Sequence, residues 1–381
     1  MPVPMSHTEQ SEVNRMAKPR ILFIMHMPPP VHGAAMMGQY IHDSALVKGS
    51  FDCRFINLAI ARGLKDVGHF RFGKAADYLR LLATIRREIR AFSPDLVYVT
   101  PNTVGVPFFK DLVITGLIKS MGCRVVAHYH NKGVATRQDR WLDDRLYRLA
   151  FRNQKNILLS ERLFADISRY ADRRDVYIVP NGIPSTVGTP SQKASGGPLR
   201  ILFLSNMMAA KGVWTLLEAL SILSRTTTVF TCDFVGEWKD VDSEAFKAKI
   251  DEYALSSRVF CHGGKFGSDK EAFLRAADVL AFPSESEAFG LVLLEAMQYS
   301  CACIATDEGG IPDIIDEGRT GFLVPKNDPQ ALATALGKLV ADRALCASMG
   351  CEGRKKFLEK FTLDVFERNF TATLASLLEQ S

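Results

Sequence analysis

Residues 282–296 read Phe-Pro-Ser-Glu-Ser-Glu-Ala-Phe-Gly-Leu-Val-Leu-Leu-Glu-Ala. The apolar run Val279 to Phe282 ends here and reads as a buried strand of a parallel sheet. A polar, acidic loop follows, then Phe289-Gly290, then a helix whose Leu-Val-Leu-Leu run pins it against that sheet. Glu287 lies just before the helix and Glu295 two turns inside it. One carboxylate therefore belongs to a loop at the carboxyl end of a strand, and the other to the helix behind it. Such a pair can divide labour: one group binds sugar or ribose hydroxyls, the other stabilises developing positive charge. The backbone N–H groups of Phe289, Gly290 and Leu291 form a helix start, which favours phosphate.

Outward from this segment the same pattern recurs. Arg20 to Met25 (RILFIM) is a short apolar run followed by a loop with Pro28, Pro29 and Pro30, then Gly33 and a helical stretch from Ala34. Further strands are expected at Asp95 to Thr100, Arg124 to His128, Asn156 to Ser160 and Val176 to Val179. Arg200 to Leu204 (RILFL) restarts the theme, with a helix from Val213 to Leu223 and strands at 230–235, 258–261, 279–282, 302–305 and 321–324. Strand–helix alternation of this kind means an α/β chain with two Rossmann-like, doubly wound halves facing across a cleft. The expected organisation is a disordered leader at 1–18, a first domain at 19–185, a linker rich in Pro, Ser, Thr and Gly at 186–198, and a second domain at 199–360. Residues 361–381 are expected to form a helix able to cross back onto the first domain.

A chain of 381 residues is too long for one ordinary core, which agrees with two domains. No apolar run reaches the roughly 18–20 residues of a membrane span. Eight scattered cysteines form neither a metal-binding nor a disulfide pattern, so a reducing cytoplasm is expected. The charge is uneven. Residues 1–190 carry 27 Lys and Arg against 16 Asp and Glu, whereas residues 191–381 carry 20 against 26. The basic half is expected to face something anionic. Its helix Lys74 to Arg90 places Leu79, Leu82, Ile85 and Ile89 at helical spacing beside Arg80, Arg86, Arg87 and Arg90, and Arg140, Arg145 and Arg148 follow later. An anionic membrane surface is the expected partner, giving a cytoplasmic protein peripheral on the membrane. No nucleic-acid motif accompanies the charge.

Other loops at strand ends carry candidate ligands. Ser205 to Gly212 joins a strand to a helix start and holds Lys211, a seat for phosphate. Cys261 to Lys265 follows another strand. His128, Tyr129 and His130 close a strand of the first half, where ligands of doubly wound sheets sit. Gly33 lets backbone approach a ligand closely.

Residues 279–324 closely resemble the C-terminal half of glycosyltransferase family 4, marked by two glutamates with seven residues between them. The words PSESEAFGLVLLEAM, CACIATDEGGIPDII and GRTGFLVP carry the likeness. It implies the GT-B fold, a nucleotide-diphosphate sugar donor (UDP- or GDP-linked) on the second domain, and transfer with retained anomeric configuration. The acceptor would be a hydroxyl of a glycan or lipid-linked glycan, in bacterial surface polysaccharide or glycolipid synthesis. By position, Glu287 would contact the donor sugar, Glu295 the ribose, and the backbone of Phe289, Gly290 and Leu291 the diphosphate or sugar. Lys211 would grip the diphosphate, Lys265 would sit in the loop that reads the base, and His130 would lie near the sugar across the cleft. Gly33 would approach the donor phosphate or acceptor. Glu287, His130 and Lys211 are then the catalytic set. Two departures stand out: Asn206 replaces the family's usual Arg, and Asp313 replaces its usual Glu.

Asp240-Val241-Asp242 imitates a metal signature but does not end a strand, and the resemblance to GT-B enzymes implies no metal and no cofactor. No Gly-x-Gly-x-x-Gly follows either opening strand, which removes a nicotinamide enzyme. The remaining alternatives are a non-catalytic nucleotide-sugar-binding scaffold and another GT-B enzyme such as a nucleotide-sugar epimerase.

Overall fold

Six strands of the first half, β1 (Arg20–Met25), β2 (Asp52–Asn57), β3 (Leu96–Val99), β4 (Val125–Tyr129), β5 (Lys155–Leu158) and β6 (Val176–Ile178), form one parallel sheet in the order β2-β1-β3-β4-β5-β6. Six more, β7 (Leu199–Leu204), β8 (Phe230–Val235), β9 (Val259–Cys261), β10 (Val279–Phe282), β11 (Ala302–Thr306) and β12 (Gly321–Val324), form a second in the order β12-β11-β10-β7-β8-β9. The structure, a computed structural model, describes residues 18–58, 72–185 and 197–380. The expected leader (1–18) and linker (186–198) fall outside the described residues, apart from Lys18, Gly197 and Pro198.

The central strands form where apolar residues run without interruption, because helices cover both faces of each sheet. Ile21 to Met25 and Val279 to Ala281 are fully buried. Strand β2 had no such signature. It is the sheet edge and alternates exposed with half-buried residues, so its sequence, DCRFIN, lacks an apolar run.

One face of the first sheet is covered by the helices Phe72–Phe92, Gly105–Ser120 and Trp141–Phe151, with Ile85, Ile89, Phe108, Ile114, Tyr147 and Phe151 in the core. Ile85 and Ile89 of the basic helix are core residues and Leu82 packs on them, while Leu79 faces solvent. The other face carries the helices Gly33–Asp43 and Ala45–Ser50 together with the last helix, Leu363–Glu379. That last helix buries Phe366, Phe370, Leu374 and Leu377, at helical spacing, against Ile21, Phe23, Tyr98 and Val126. The crossing is made where the Leu363 N–H donates to the Ile183 carbonyl (2.8 Å) and the Ile183 N–H to the Phe361 carbonyl (3.0 Å). Gly182 is needed there: a Cβ would stand 2.4 Å from the Thr362 carbonyl oxygen.

In each sheet the strand order reverses once, between β1 and β3 and between β7 and β10. Loops leaving adjacent strands at such a point diverge and open a crevice beyond the carboxyl ends. These are the loops 26–33 in the first sheet and 205–212 and 283–290 in the second.

Candidate functional site

The loops after β7 and β10 are locked to each other by backbone. Gly212, at φ +77°, begins the helix Val213–Ser224, and a Cβ on it would lie 2.0 Å from the Pro283 carbonyl oxygen. The Glu285 N–H donates to the Ala210 carbonyl at 2.9 Å. Gly290, at φ +96°, begins the helix Leu291–Gln298. Two helix starts therefore lie side by side at the end of the second sheet, both with N–H groups turned toward the cleft.

Lys211 and Glu287 meet at this seat. The Lys211 ammonium donates to Glu287 Oε2 at 2.8 Å, and its ring neighbour is Phe282, with the cation 5.8 Å from the centroid. Glu287 Oε1 accepts from the N–H groups of Ala288 (3.2 Å) and Phe289 (3.4 Å). Its carboxylate thus occupies part of the helix start expected to hold phosphate, and it neutralises the lysine placed there for the same purpose. Glu295 is paired in the same way: the Lys270 ammonium donates to its Oε1 at 2.8 Å. Across the cleft, burial, with a smaller contribution from the Glu295 charge, raises Tyr40 above the usual phenol range.

The first domain reaches this seat at several points. A Cβ on Gly33 would touch Leu291 Cδ1 at 3.3 Å, so the two predicted donor-loop residues are neighbours. Lys132 pairs with Glu308. Ser160 Oγ donates to Asp313 Oδ2, and Arg162 pairs with Asp307 at 2.7 Å. Asp313, one of the two departures from the resembling family, therefore ties the two domains together. Gly309 (φ +54°) and Gly310 let this stretch lie under the donor loop: a Cβ on Gly309 would be 2.0 Å from the Glu287 carbonyl oxygen, and the Gly310 N–H donates to the Ala288 carbonyl at 2.9 Å.

Four histidines gather at the carboxyl edge of the first sheet. His128 is fully buried, and its Nδ1 lies 2.8 Å from the Tyr98 hydroxyl. The His130 ring stands 4.2 Å from that of His128, and neither of its nitrogens has a hydrogen-bond partner among the described residues. Burial, then the neighbouring His26 and His32, drives His130 down to about 3. Burial likewise lowers His26 to about 4, with a smaller contribution from His32. His32 Nδ1 accepts from the Ala35 N–H and caps the helix Gly33–Asp43. All four are neutral imidazoles at neutral pH. His130 can hydrogen-bond a ligand hydroxyl as donor or acceptor and cannot serve as a cation there.

The remaining predicted residues are less engaged. The Asn206 and Lys265 side chains make no hydrogen bond or ion pair among the described residues, and Asn206 is exposed. Phe289 is buried and packs edge-on against Phe361, with centroids 6.1 Å apart. His262 Nε2 lies 2.7 Å from Asp233 Oδ1, a structural loop contact. Asp242 caps the helix Ser243–Glu252, and Asp240 accepts from the Ala209 N–H at 2.9 Å. Sequence reasoning missed Lys270, Glu308, Lys326, Ser160 and Arg162. Nothing local marks them, because each acquires its role from a partner on a loop or helix at least 18 residues away in the chain.

Residues 189–356 match the family model described as Glycosyl transferases group 1. That span holds the whole second sheet and both glutamates. The chain is 29% identical over 198 residues to the putative colanic acid biosynthesis glycosyltransferase WcaL of Salmonella typhimurium, covering 50% of this chain and 47% of that protein. It thus spans about half the length of that relative. It is 24% identical over 326 residues to the amylovoran biosynthesis glycosyltransferase AmsK of Erwinia amylovora, covering 83% of this chain and 78% of the other. Among solved structures, sucrose-phosphate synthase from Thermosynechococcus elongatus superposes with a TM-score of 0.75 at 18% identity over 96% of this chain and 100% of that one. Anabaena HepE in complex with UDP and glucose superposes with a TM-score of 0.70 at 19% identity, over 93% of this chain and 99% of that one. The two parallel sheets and their flanking helices are thus the GT-B fold. The half that matches the group 1 model contributes β7 to β12, and the first half supplies the opposite wall of the cleft.

Proposed function

We propose that this chain is a retaining glycosyltransferase of the family 4 type. It would move a hexose-type sugar from a UDP- or GDP-linked donor to a hydroxyl of a glycan or lipid-linked glycan. The observation that carries this reading is the Lys211–Glu287 pair at two adjoining helix starts, with Glu295 on the helix behind. Donor-facing groups in this arrangement suit a molecule with an anionic centre and hydroxyls at both ends. In this reading Glu287 holds the sugar and Glu295 the ribose. Lys211 and the N–H groups of Phe289 to Leu291 hold the diphosphate, with Asn206 adding a neutral hydrogen bond. Lys265 lines the base pocket, and Gly33 lets the first domain approach. Support also comes from relatives named for exopolysaccharide biosynthesis and from a fold neighbour solved with UDP and glucose.

Attack and departure would occur on one face of the sugar, with the leaving diphosphate stabilised by fixed dipoles and one cation. Neutral His130 would orient a sugar hydroxyl. Closure of the two halves would assemble the cleft and exclude water. Release of nucleotide from a panel of UDP-, GDP- and ADP-sugars is the test, with Glu295→Ala as control. Turnover with one donor, reduced at least tenfold in the variant, is expected. Donor binding without turnover would move the assignment to a non-catalytic scaffold.

We further propose that the first domain rests on an anionic membrane and collects its acceptor there. No helix among the described residues is long and apolar enough to span a bilayer. Arg80, Arg86, Arg87 and Arg90 are exposed on the helix Phe72–Phe92. On the adjoining helix Gly105–Ser120 the exposed Val106, Phe109 and Val113 form an uncharged stripe, and Trp141 and Leu149 are exposed on the next. A basic rim around an apolar strip suits an anionic interface. Flotation with vesicles rich in anionic lipid is expected at low salt and lost on replacing Phe109 and Trp141 by serine. No flotation of the unaltered protein would sink this proposal.

A further inference from the structure

We infer that Lys132, Lys326 and Glu308 form a second cationic site for the donor diphosphate, one that exists only when both halves of the chain contribute. This rests on the nucleotide-sugar reading above and adds residues which that reading does not use. The starting point is a charge deficit. The loop 205–212 has one cation, Lys211, and it is already matched by Glu287 at 2.8 Å. A diphosphate entering this seat would meet little net positive charge.

Positive charge lies instead against the neighbouring loop 283–290, which carries Glu287. The Glu308 side chain is almost fully buried and takes two ammonium groups, Lys132 from the first half and Lys326 at 2.9 Å from the end of β12. Burial alone would push Glu308 up, but its two lysines outweigh that and hold it below the usual carboxylate range. One carboxylate and two lysines leave one positive charge in surplus. Glu308 Oε1 also accepts from the Glu287 N–H at 3.4 Å, and it is the oxygen that Lys132 meets. The surplus charge therefore abuts the donor loop itself. A latch between domains needs only one lysine on Glu308; of the neighbouring ties, Arg162 to Asp307 is neutral and Ser160 to Asp313 sets a hydroxyl on a carboxylate, so neither brings excess positive charge. An unmatched cation beside a cleft attracts an anionic occupant, and each ammonium has three N–H donors, so contacts to Glu308 leave others for phosphate oxygens. Lys132 and Lys326 are 28% and 45% exposed along their side chains, open enough to reach a ligand.

The experiment compares binding of the nucleoside diphosphate (UDP, GDP or ADP, whichever binds tightest) with that of its nucleoside by calorimetry. Lys132→Met is expected to weaken the diphosphate on the order of tenfold, the size of one charge-assisted contact, with the nucleoside unchanged and Lys132→Arg restoring most of the loss. Lys326→Met, whose side chain is more open, should show the same pattern more weakly. Equal weakening of diphosphate and nucleoside would mean that Lys132 acts only on domain closure, and would overturn the inference. Unchanged diphosphate binding in both methionine variants would overturn it while leaving the nucleotide-sugar reading standing. If the unaltered protein binds none of the diphosphates, both fall.

Discussion

Replacing Lys211 by alanine is expected to lower turnover about 10²–10³-fold, the cost of removing one preorganised group that stabilises departing negative charge. The expectation follows from position. Lys211 is the cation at the paired helix starts, and its ammonium is fixed by Glu287 and by the Phe282 ring below it. Removing it also leaves the Glu287 carboxylate, only 20% exposed, without its counter-ion and facing the anionic donor proposed above. Glu287→Gln keeps the shape and removes that charge, and is expected to cost about 10²-fold. The double variant should be little worse than Lys211→Ala alone, since contacting groups do not contribute additively. Steady-state kinetics on the donor found by the panel screen measure all three. A loss of less than threefold in Lys211→Ala would remove the lysine from the reaction.

Phe370→Ala carries the largest expected effect on stability, about 3–5 kcal/mol for an aromatic deleted from a filled core. Phe370 is fully buried. Its ring meets Tyr98 edge-on at 5.3 Å and stacks on Phe366 at 5.4 Å. It also lies 6.3 Å from His128, so the last helix forms the floor beneath the histidine cluster. The variant is expected to unfold the first half at clearly lower urea while the second half unfolds near its original midpoint. Tyrosine fluorescence beside far-ultraviolet dichroism separates the two transitions. An unshifted first transition would mean that the helix is a passive strap.

The two predictions draw on different kinds of information. Lys211, Glu287 and Glu295 were legible as candidates because each stands at a recognisable junction of apolar run, loop and helix. The strands β1, β3, β10 and β11 were legible for a related reason: a strand buried on both faces must be almost wholly apolar, and such runs are short and sharply bounded. Strand β2 was not legible, because an edge strand needs no continuous apolar run. The stripe on the basic helix was legible as a stripe, yet its fate was divided: Ile85 and Ile89 serve the core and Leu79 does not.

What the sequence determined by itself is therefore the repeated strand–loop–helix unit, the two halves it builds, and which loops carry polar groups at strand ends. These follow from local patterns, since burial on a sheet and the chemistry of a helix start are both written within about a dozen residues. Tertiary structure alone decided the pairings. Lys211 lies on Glu287, Lys270 on Glu295, and Glu308 between lysines from both halves. It also placed Asp313 against Ser160 and laid the last helix on the first sheet. The physical reason is that an ion pair depends on a few ångströms between groups far apart in the chain, and that distance is set by how strands of one sheet lie side by side and how the two halves meet, not by the residues beside either partner.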